Sequence, residues 1–201
     1  MLFAGAALWC ALSLSPAVPT AGASRGAARP MTLATTFQIL NPGSVGGHRI
    51  LHLEDVIGPR RRSDVPGLPS ARAVLVFTTG REACGAVGLC AEVERLTAPL
   101  RQAGALVVAV ALVRREESAA LVRDLSQRAP ALPVALEEHG VVGRTLGLDR
   151  PGLFVILDHH GEPLPLPPPP DLSDGELRGR HLGELRRMLE AALERDDDGG
   201  R

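Results

Sequence analysis

Two aliphatic runs constrain the fold more than any other feature of the chain: AVLVF at 73–77 and ALVVAVALV at 105–113. Neither alternates apolar with polar residues, so neither reads as a strand with one wet face. Both suit parallel strands covered on both sides. The segment 84–103 between them has helical periodicity, with Val93, Leu96 and Leu100 on one side and Glu92, Glu94, Arg95 and Arg101 available for water. Pro99 is expected to kink or shorten this helix. A second helix is predicted over Glu116–Arg128 on a stripe of Leu121, Val122 and Leu125, with Pro130 marking its exit. Strand, helix, strand and helix in this order give an α/β architecture.

The flanks extend the pattern. Phe37–Leu40 and Arg49–Leu53 read as short strands joined by the turn-rich NPGSVGG. Downstream, LPVAL at 132–136 is a short extended segment, and Val141–Leu148 suits one or two helical turns. GLFVILD at 152–158 is the third strong strand. His159–Glu162 reads as its hairpin turn, returning through Pro163–Leu166 as an edge strand, where prolines are tolerated. Four prolines at 167–170 then make a stiff extended connector. Ser173 and Glu176 have capping-box spacing, and Leu182, Leu185, Leu189 and Leu193 line a helix face that needs a sheet to cover. Arg60, Arg61 and Arg62 enter a Pro/Gly-rich stretch and read as a solvated basic loop.

Charge and composition narrow the function classes. With 22 Lys+Arg against 23 Asp+Glu there is no global attraction to a polyanion, and four Phe and one Trp offer few stacking platforms, so no nucleic-acid partner is expected. Residues 2–18 are apolar apart from serines and are followed by Ala21-Gly22-Ala23, the pattern of an export signal cleaved after Ala23. An uncleaved membrane anchor and an artefactual extension ahead of a start at Met31 are the other readings of this segment. No other stretch approaches the roughly 20 apolar residues of a membrane span, so no integral membrane domain is expected after signal removal. The expected organisation is a signal at 1–23, a lead-in at 24–34, one domain at 35–195 and a solvated acidic tail at 196–201. Of the three cysteines, Cys10 would leave with the signal, and an oxidising compartment would permit a disulfide between Cys84 and Cys90.

Those two cysteines carry the chemistry. Cys84 lies where a helix is expected to begin after a buried strand, a place where unpaired N–H groups and the helix dipole favour thiolate, and Arg81 could add positive charge. Cys90 follows six positions later. On an unbroken helix that separation is about 9 Å of rise and about 120° of rotation, beyond disulfide reach. Bridging would require the first turns to unwind, which Gly85 and Gly88 would ease. The ordinary reading of Cys90 is a small buried hydrophobe three residues before Val93.

The order of elements, the cysteine after the first core strand and the segment LGLDRPGLFVILDHHGEPL together resemble the thioredoxin-like superfamily, in its redoxin branch of thiol-specific antioxidant and TlpA/ResA-type proteins. The resemblance covers roughly 35–195 and implies a thioredoxin-like fold, a central mixed β-sheet with helices on both faces. Pro151 takes the place of the family's cis-proline, which faces the active cysteine and shapes the substrate contact, while Asp158 and Gly161 match the family's hairpin. The implied activity is thiol–disulfide exchange or thiol peroxidation through Cys84 with Cys90 as resolving thiol, Pro151 and Arg81 as positioning residues and no cofactor. Its implied partners are a dithiol electron donor or a disulfide-bearing protein, met after export. The chain departs from the family in that Val87 stands where the usual Cys-x-x-Cys has its second cysteine, and Arg81 where peroxiredoxins carry a hydroxyl. Competing readings are a non-catalytic thioredoxin-like interaction module and copper delivery. For the latter the cysteine spacing is wrong and His159 and His160 sit on the far hairpin, where they read as solvated turn residues. A hydrolase lacks its nucleophile-elbow pattern.

Overall fold

Seven consecutive buried residues make β3 (Ala73–Thr79), and β4 (Ala105–Leu112) is buried along all but its last residue. The two pair in parallel from Ala73↔Ala105 to Thr79↔Ala111, which is why neither run can afford a polar alternation. The computed structural model describes residues 35–58, 65–80, 88–128, 130–137, 140–170 and 174–198. The expected signal, the Arg60–Arg62 loop, and the segment 81–87 with Arg81 and Cys84 lie outside the described residues.

Around this pair the sheet is six-stranded and mixed, in the order β2-β1-β5-β4-β3-β6. Strands β1 (Thr36–Ile39) and β2 (Ile50–His52) form the expected antiparallel hairpin, joined through a 3-10 turn at Pro42–Val45. β1 then pairs antiparallel with β5 (Val134–Glu137), which is parallel to β4. On the other edge, β6 (Phe154–Leu157) runs antiparallel to β3.

Side chains alternate across β3 and divide the core in two. Ala73, Leu75 and Phe77 join a cluster fed by α2 (Leu89–Gln102), α3 (Arg115–Arg128) and α5 (Gly175–Asp198). Val74 and Val76 face a second cluster with Phe37, Leu51, Leu53 of the one-turn helix α1 (Leu53–Val56), and Val142 and Leu146 of α4 (Val141–Leu146). Helices therefore cover both faces of a mixed sheet, as the pattern of elements predicts.

Local readings are adjusted in several places. α2 is not cut short at Pro99 and continues to Gln102, its last turn closed by the Ala103 N–H on the carbonyls of Leu100 and Arg101. Val122 is 38% exposed, so the buried stripe of α3 rests on Leu121 and Leu125. The return strand after β6 is reduced to one bridge, Leu157↔Pro163, with the Leu164 N–H donating to the Ile156 carbonyl. Proline supplies no N–H to extend a ladder, and Pro163, Pro165 and Pro167–Pro170 follow in quick succession. Ser173 lies outside the described residues, and Asp174 caps α5, its Oδ1 accepting from the N–H groups of Glu176 (2.9 Å) and Leu177 (3.1 Å). α5 carries Leu182, Leu185, Leu189 and Leu193 onto the sheet as expected, and runs through Asp198, into the segment the sequence assigns to a solvated tail.

One close approach fixes the loops behind the hairpin. Gly46 has φ 64°, and a Cβ there would meet the Gly67 carbonyl oxygen at 2.2 Å, so only glycine fits.

Candidate active site

The candidate residues that the structure describes lie toward the C-terminal end of β3. Strand β3 ends at Thr79, Gly80 follows, and α2 returns from Gly88, so Gly80 and Gly88 bracket the segment that holds Arg81 and Cys84. Gly88 is extended, at φ −88° and ψ −175°, and its carbonyl accepts from the N–H groups of Ala91 (3.0 Å) and Glu92 (3.2 Å). An unbroken helix through 84–98 is therefore ruled out, because α2 begins at Leu89. Glycine at this point has low helix propensity and no side chain with which to cap, so the backbone turns out of the helix there. The helix geometry that would have held Cys84 and Cys90 apart does not span them.

The same boundary puts Cys90, rather than Cys84, in the first turn of α2. Cys90 is 3% exposed and packs in the cluster with Phe77, Val93 and Leu182, as its place before Val93 predicts. The first turns of α2 and α5 are tied by Arg178, whose Nε lies 3.1 Å from Glu92 Oε2 and whose Nη2 donates to Glu92 Oε1 at 3.1 Å. This two-point ion pair sits two residues after Cys90 and fixes the helix start against its neighbour.

Pro151 comes to the same end of the sheet from the other side. It is exposed in the loop before β6, and that loop is fastened to the last residues of β3. The Thr78 N–H donates to the Leu153 carbonyl at 2.9 Å, and the Gly152 N–H donates to the Thr78 carbonyl at 2.9 Å. A regular ladder would bring the Leu153 N–H to that carbonyl; instead it donates to the Thr78 hydroxyl at 3.1 Å. The hydroxyl proton goes to the Arg150 carbonyl at 2.5 Å. Gly152 makes the turn at φ 83°. Among the described residues every peptide bond is trans, Arg150–Pro151 included, so the cis geometry that the resemblance implies for Pro151 is not present.

Below this loop, Phe77 and Phe154 stack at 5.8 Å, and His181 of α5 meets Phe154 edge-on at 5.5 Å. His181 is 6% exposed, and its Nε2 is buried with no hydrogen-bond partner among the described residues. Burial lowers its pKa from the usual 6.5, opposed in part by the charge of Glu184 one turn on. Neither His181 nor Thr78 stands out in the sequence as a site residue. His181 holds the i−4 position to Leu185 on the apolar stripe, and Thr78 is the first hydroxyl after an otherwise aliphatic strand.

Of the four predicted site residues, Cys90 and Pro151 thus flank the end of β3, while Cys84 and Arg81 lie outside the described residues. His159 and His160 sit at the opposite end of β6, their rings 3.7 Å apart; His159 is less solvated than expected, its Nδ1 buried without a hydrogen-bond partner among the described residues. No group of three metal-ligating side chains occurs among the described residues. Cavities of about 540 and 420 Å³ adjoin Arg101 near the C-terminal end of α2, far along that helix from Cys90. In the larger one Asn41, Ser44, Arg101 and Ser126 each hydrogen-bond to backbone.

No family model and no curated protein matches the chain. Solved structures do. The MTB protein dsbF, solved in mixed oxidized and reduced forms, superposes with a TM-score of 0.54 at 15% identity, covering 81% of this chain and 98% of that one. A Neisseria meningitidis protein named as a candidate thioredoxin gives 0.54 at 16%, covering 83% and 93%. A Chlorobium tepidum protein named as a candidate thiol:disulfide interchange protein DsbE gives 0.50 at 20%, covering 80% and 94%. At these identities the likeness is one of fold, and the fold is thioredoxin-like.

Proposed function

We propose that this chain, a thioredoxin-like α/β domain, is an exported thiol–disulfide oxidoreductase or thiol peroxidase that acts through Cys84 with Cys90 as its resolving thiol. One observation carries the reading: the exit of β3 toward Cys84, the first turn of α2 with Cys90, and the exposed Pro151 loop share one end of the sheet.

The burial of Cys90 divides the labour. A thiol 3% exposed cannot meet a protein disulfide arriving from solvent, so the first attack falls to Cys84. The Cys84 thiolate attacks one sulfur of a substrate disulfide, forms a mixed disulfide and releases the other sulfur as thiolate, which takes up a proton. Cys90 then attacks Cys84 Sγ, releasing the second substrate thiol and leaving a Cys84–Cys90 disulfide. With a peroxide, Cys84 becomes the sulfenic acid as water or an alcohol leaves, and Cys90 displaces a second water to give the same disulfide. A partner dithiol returns the two electrons in either case. Since Gly88 is extended, closing this loop of five intervening residues does not require melting a helix that spans both cysteines. Pro151 offers the contact for the incoming chain, and Arg81 favours thiolate at Cys84.

The depth of Cys90 also fits a second reading, a non-catalytic interaction module in which its thiol does no redox chemistry. Turnover of insulin disulfides and of hydrogen peroxide by the purified protein, each against Cys84→Ser, separates the two. Activity above that background, with loss of two hydrogens in the mass of the oxidised protein, supports the catalytic reading. No difference from Cys84→Ser in either assay, with Cys84 and Cys90 unbridged after oxidation, assigns the chain to the second.

A further inference from the structure

The pinning of the Pro151 loop points to a residue that neither the cysteine pair nor the family likeness identifies. We infer that Thr78 is the positioning residue for the polypeptide substrate, its hydroxyl holding the Pro151 loop in register with the strand that leads to Cys84. The inference rests on the thiol-exchange reading above and deepens it.

Thr78 is fully buried, and its hydroxyl is used in both directions, accepting from the Leu153 N–H at 3.1 Å and donating to the Arg150 carbonyl at 2.5 Å. It thereby closes the loop across its neck, joining the residue before Pro151 to the residue after Gly152. The regular antiparallel partner of the Leu153 N–H would be the Thr78 carbonyl, which is taken by the Gly152 N–H at 2.9 Å. The hydroxyl supplies the acceptor that this local offset removes. Without it, the Arg150 carbonyl and the Leu153 N–H lose this partner, and the loop is left held to Thr78 by two backbone bonds alone. Phe77, one residue earlier, makes the regular pair with Phe154, so the departure begins at Thr78 itself.

The same residue lies two positions before Gly80, where the chain leaves for Cys84. One side chain thus sets the position of the loop that receives substrate relative to the strand end that delivers the nucleophile. The Thr78 hydroxyl bonds to the backbone of the Pro151 loop, at Arg150 and Leu153, so its effect is expected on docking of an extended chain and not on the intrinsic reactivity of Cys84. An error of an ångström in such a placement costs much in rate without any change of chemistry.

The test compares wild type, Thr78→Val, Thr78→Ser and Cys84→Ser, with insulin as the polypeptide disulfide and 5,5′-dithiobis(2-nitrobenzoate) as the small one. Far-UV circular dichroism checks that each variant is folded at the assay temperature. For Thr78→Val, the KM for insulin is expected to rise on the order of tenfold or more, while the rate constant for the small disulfide stays within about twofold of wild type. Thr78→Ser, which keeps the hydroxyl, restores the insulin KM. An unchanged insulin KM in folded Thr78→Val overturns the inference while leaving the thiol chemistry standing; equal losses on both disulfides, or failure of Thr78→Ser to rescue, overturn it as well by assigning Thr78 to stability alone. If wild type shows no reaction above Cys84→Ser with either disulfide, the underlying thiol-exchange reading falls and takes the inference with it.

Discussion

Asn41 offers the sharpest quantitative test of how the two halves of the sheet are joined. Its Nδ2 donates to the carbonyls of Pro130 (3.1 Å) and Leu132 (2.8 Å), and its Oδ1 accepts from the Val134 N–H at 2.8 Å. One side chain in the β1–β2 connection thereby organises the entry to β5, across a sequence separation of 89 to 93 residues. Asn41→Ala removes all three bonds. Each is worth about 1 kcal/mol net, and more where the stranded partner is buried, as at Leu132 and Val134. The Pro130 carbonyl borders the open cavity of about 540 Å³, where water can replace the lost donor, which holds that bond to the low end. The expected loss is therefore about 2–4 kcal/mol, a large share of the roughly 5–15 kcal/mol that stabilises a domain, and about 5–15 °C in Tm. Urea unfolding followed by far-UV circular dichroism is the assay, since the single Trp lies in the expected signal and there is no Tyr to report. Asn41→Asp keeps the acceptor but turns a carboxylate toward two carbonyl oxygens, so at neutral pH it should be no more stable than Asn41→Ala. A loss below about 0.5 kcal/mol for Asn41→Ala, with unchanged denaturant slope, would refute the assignment of this junction to Asn41.

Two further outcomes are expected. Because burial lowers the pKa of His181 in the folded protein, the unfolded chain takes up the proton first as pH falls below about 6.5, so its contribution is full above that value and is lost as pH falls toward and through the folded pKa. Urea midpoints at pH 7.5 and 5.5 should separate more for wild type than for His181→Leu; equal separations would show that His181 titrates alike in the folded and unfolded chain, so that burial does not lower its pKa. Gly46→Ala should lose more than about 2 kcal/mol by thermal unfolding, because φ is 64° and the added Cβ would lie 2.2 Å from the Gly67 carbonyl oxygen. A near-neutral effect would mean that the two loops can separate freely.

Apolar patterning made the strands and main helices readable. The Val/Ala-rich runs place β3 and β4 inside the sheet, and the spacing of Leu182, Leu185, Leu189 and Leu193 places α5 over it, since a face that must exclude water repeats at the period of its element. The start of α2 was harder to read. A window from 84 to 103 averages over Gly85 and Gly88, and the extended turn at Gly88 becomes visible only in its backbone angles. That shift of a few residues moves the helix start from Cys84 to Leu89 and puts Cys90 in its first turn.

Of the proposed site, residue types and chain order suggest Cys84, Cys90, Arg81 and Pro151, and the order of elements puts the segments of Cys90 and Pro151 toward the same end of the sheet. Thr78 and His181 escaped because each takes its role from partners remote in sequence: Arg150 lies 72 residues beyond Thr78, and Phe154 lies on a different element from His181.

The sequence by itself determined that this chain builds a doubly covered α/β sheet, because exclusion of water from both faces of a strand is written locally, residue by residue. Only the tertiary structure decided that a threonine hydroxyl pins the Pro151 loop, that Asn41 joins the hairpin to β5, and that α2 begins at Leu89 with Cys90 in its first turn. Those depend on pairing between distant backbone and side-chain groups, and a hydrogen-bonding group carries no mark in the sequence of which remote partner will satisfy it.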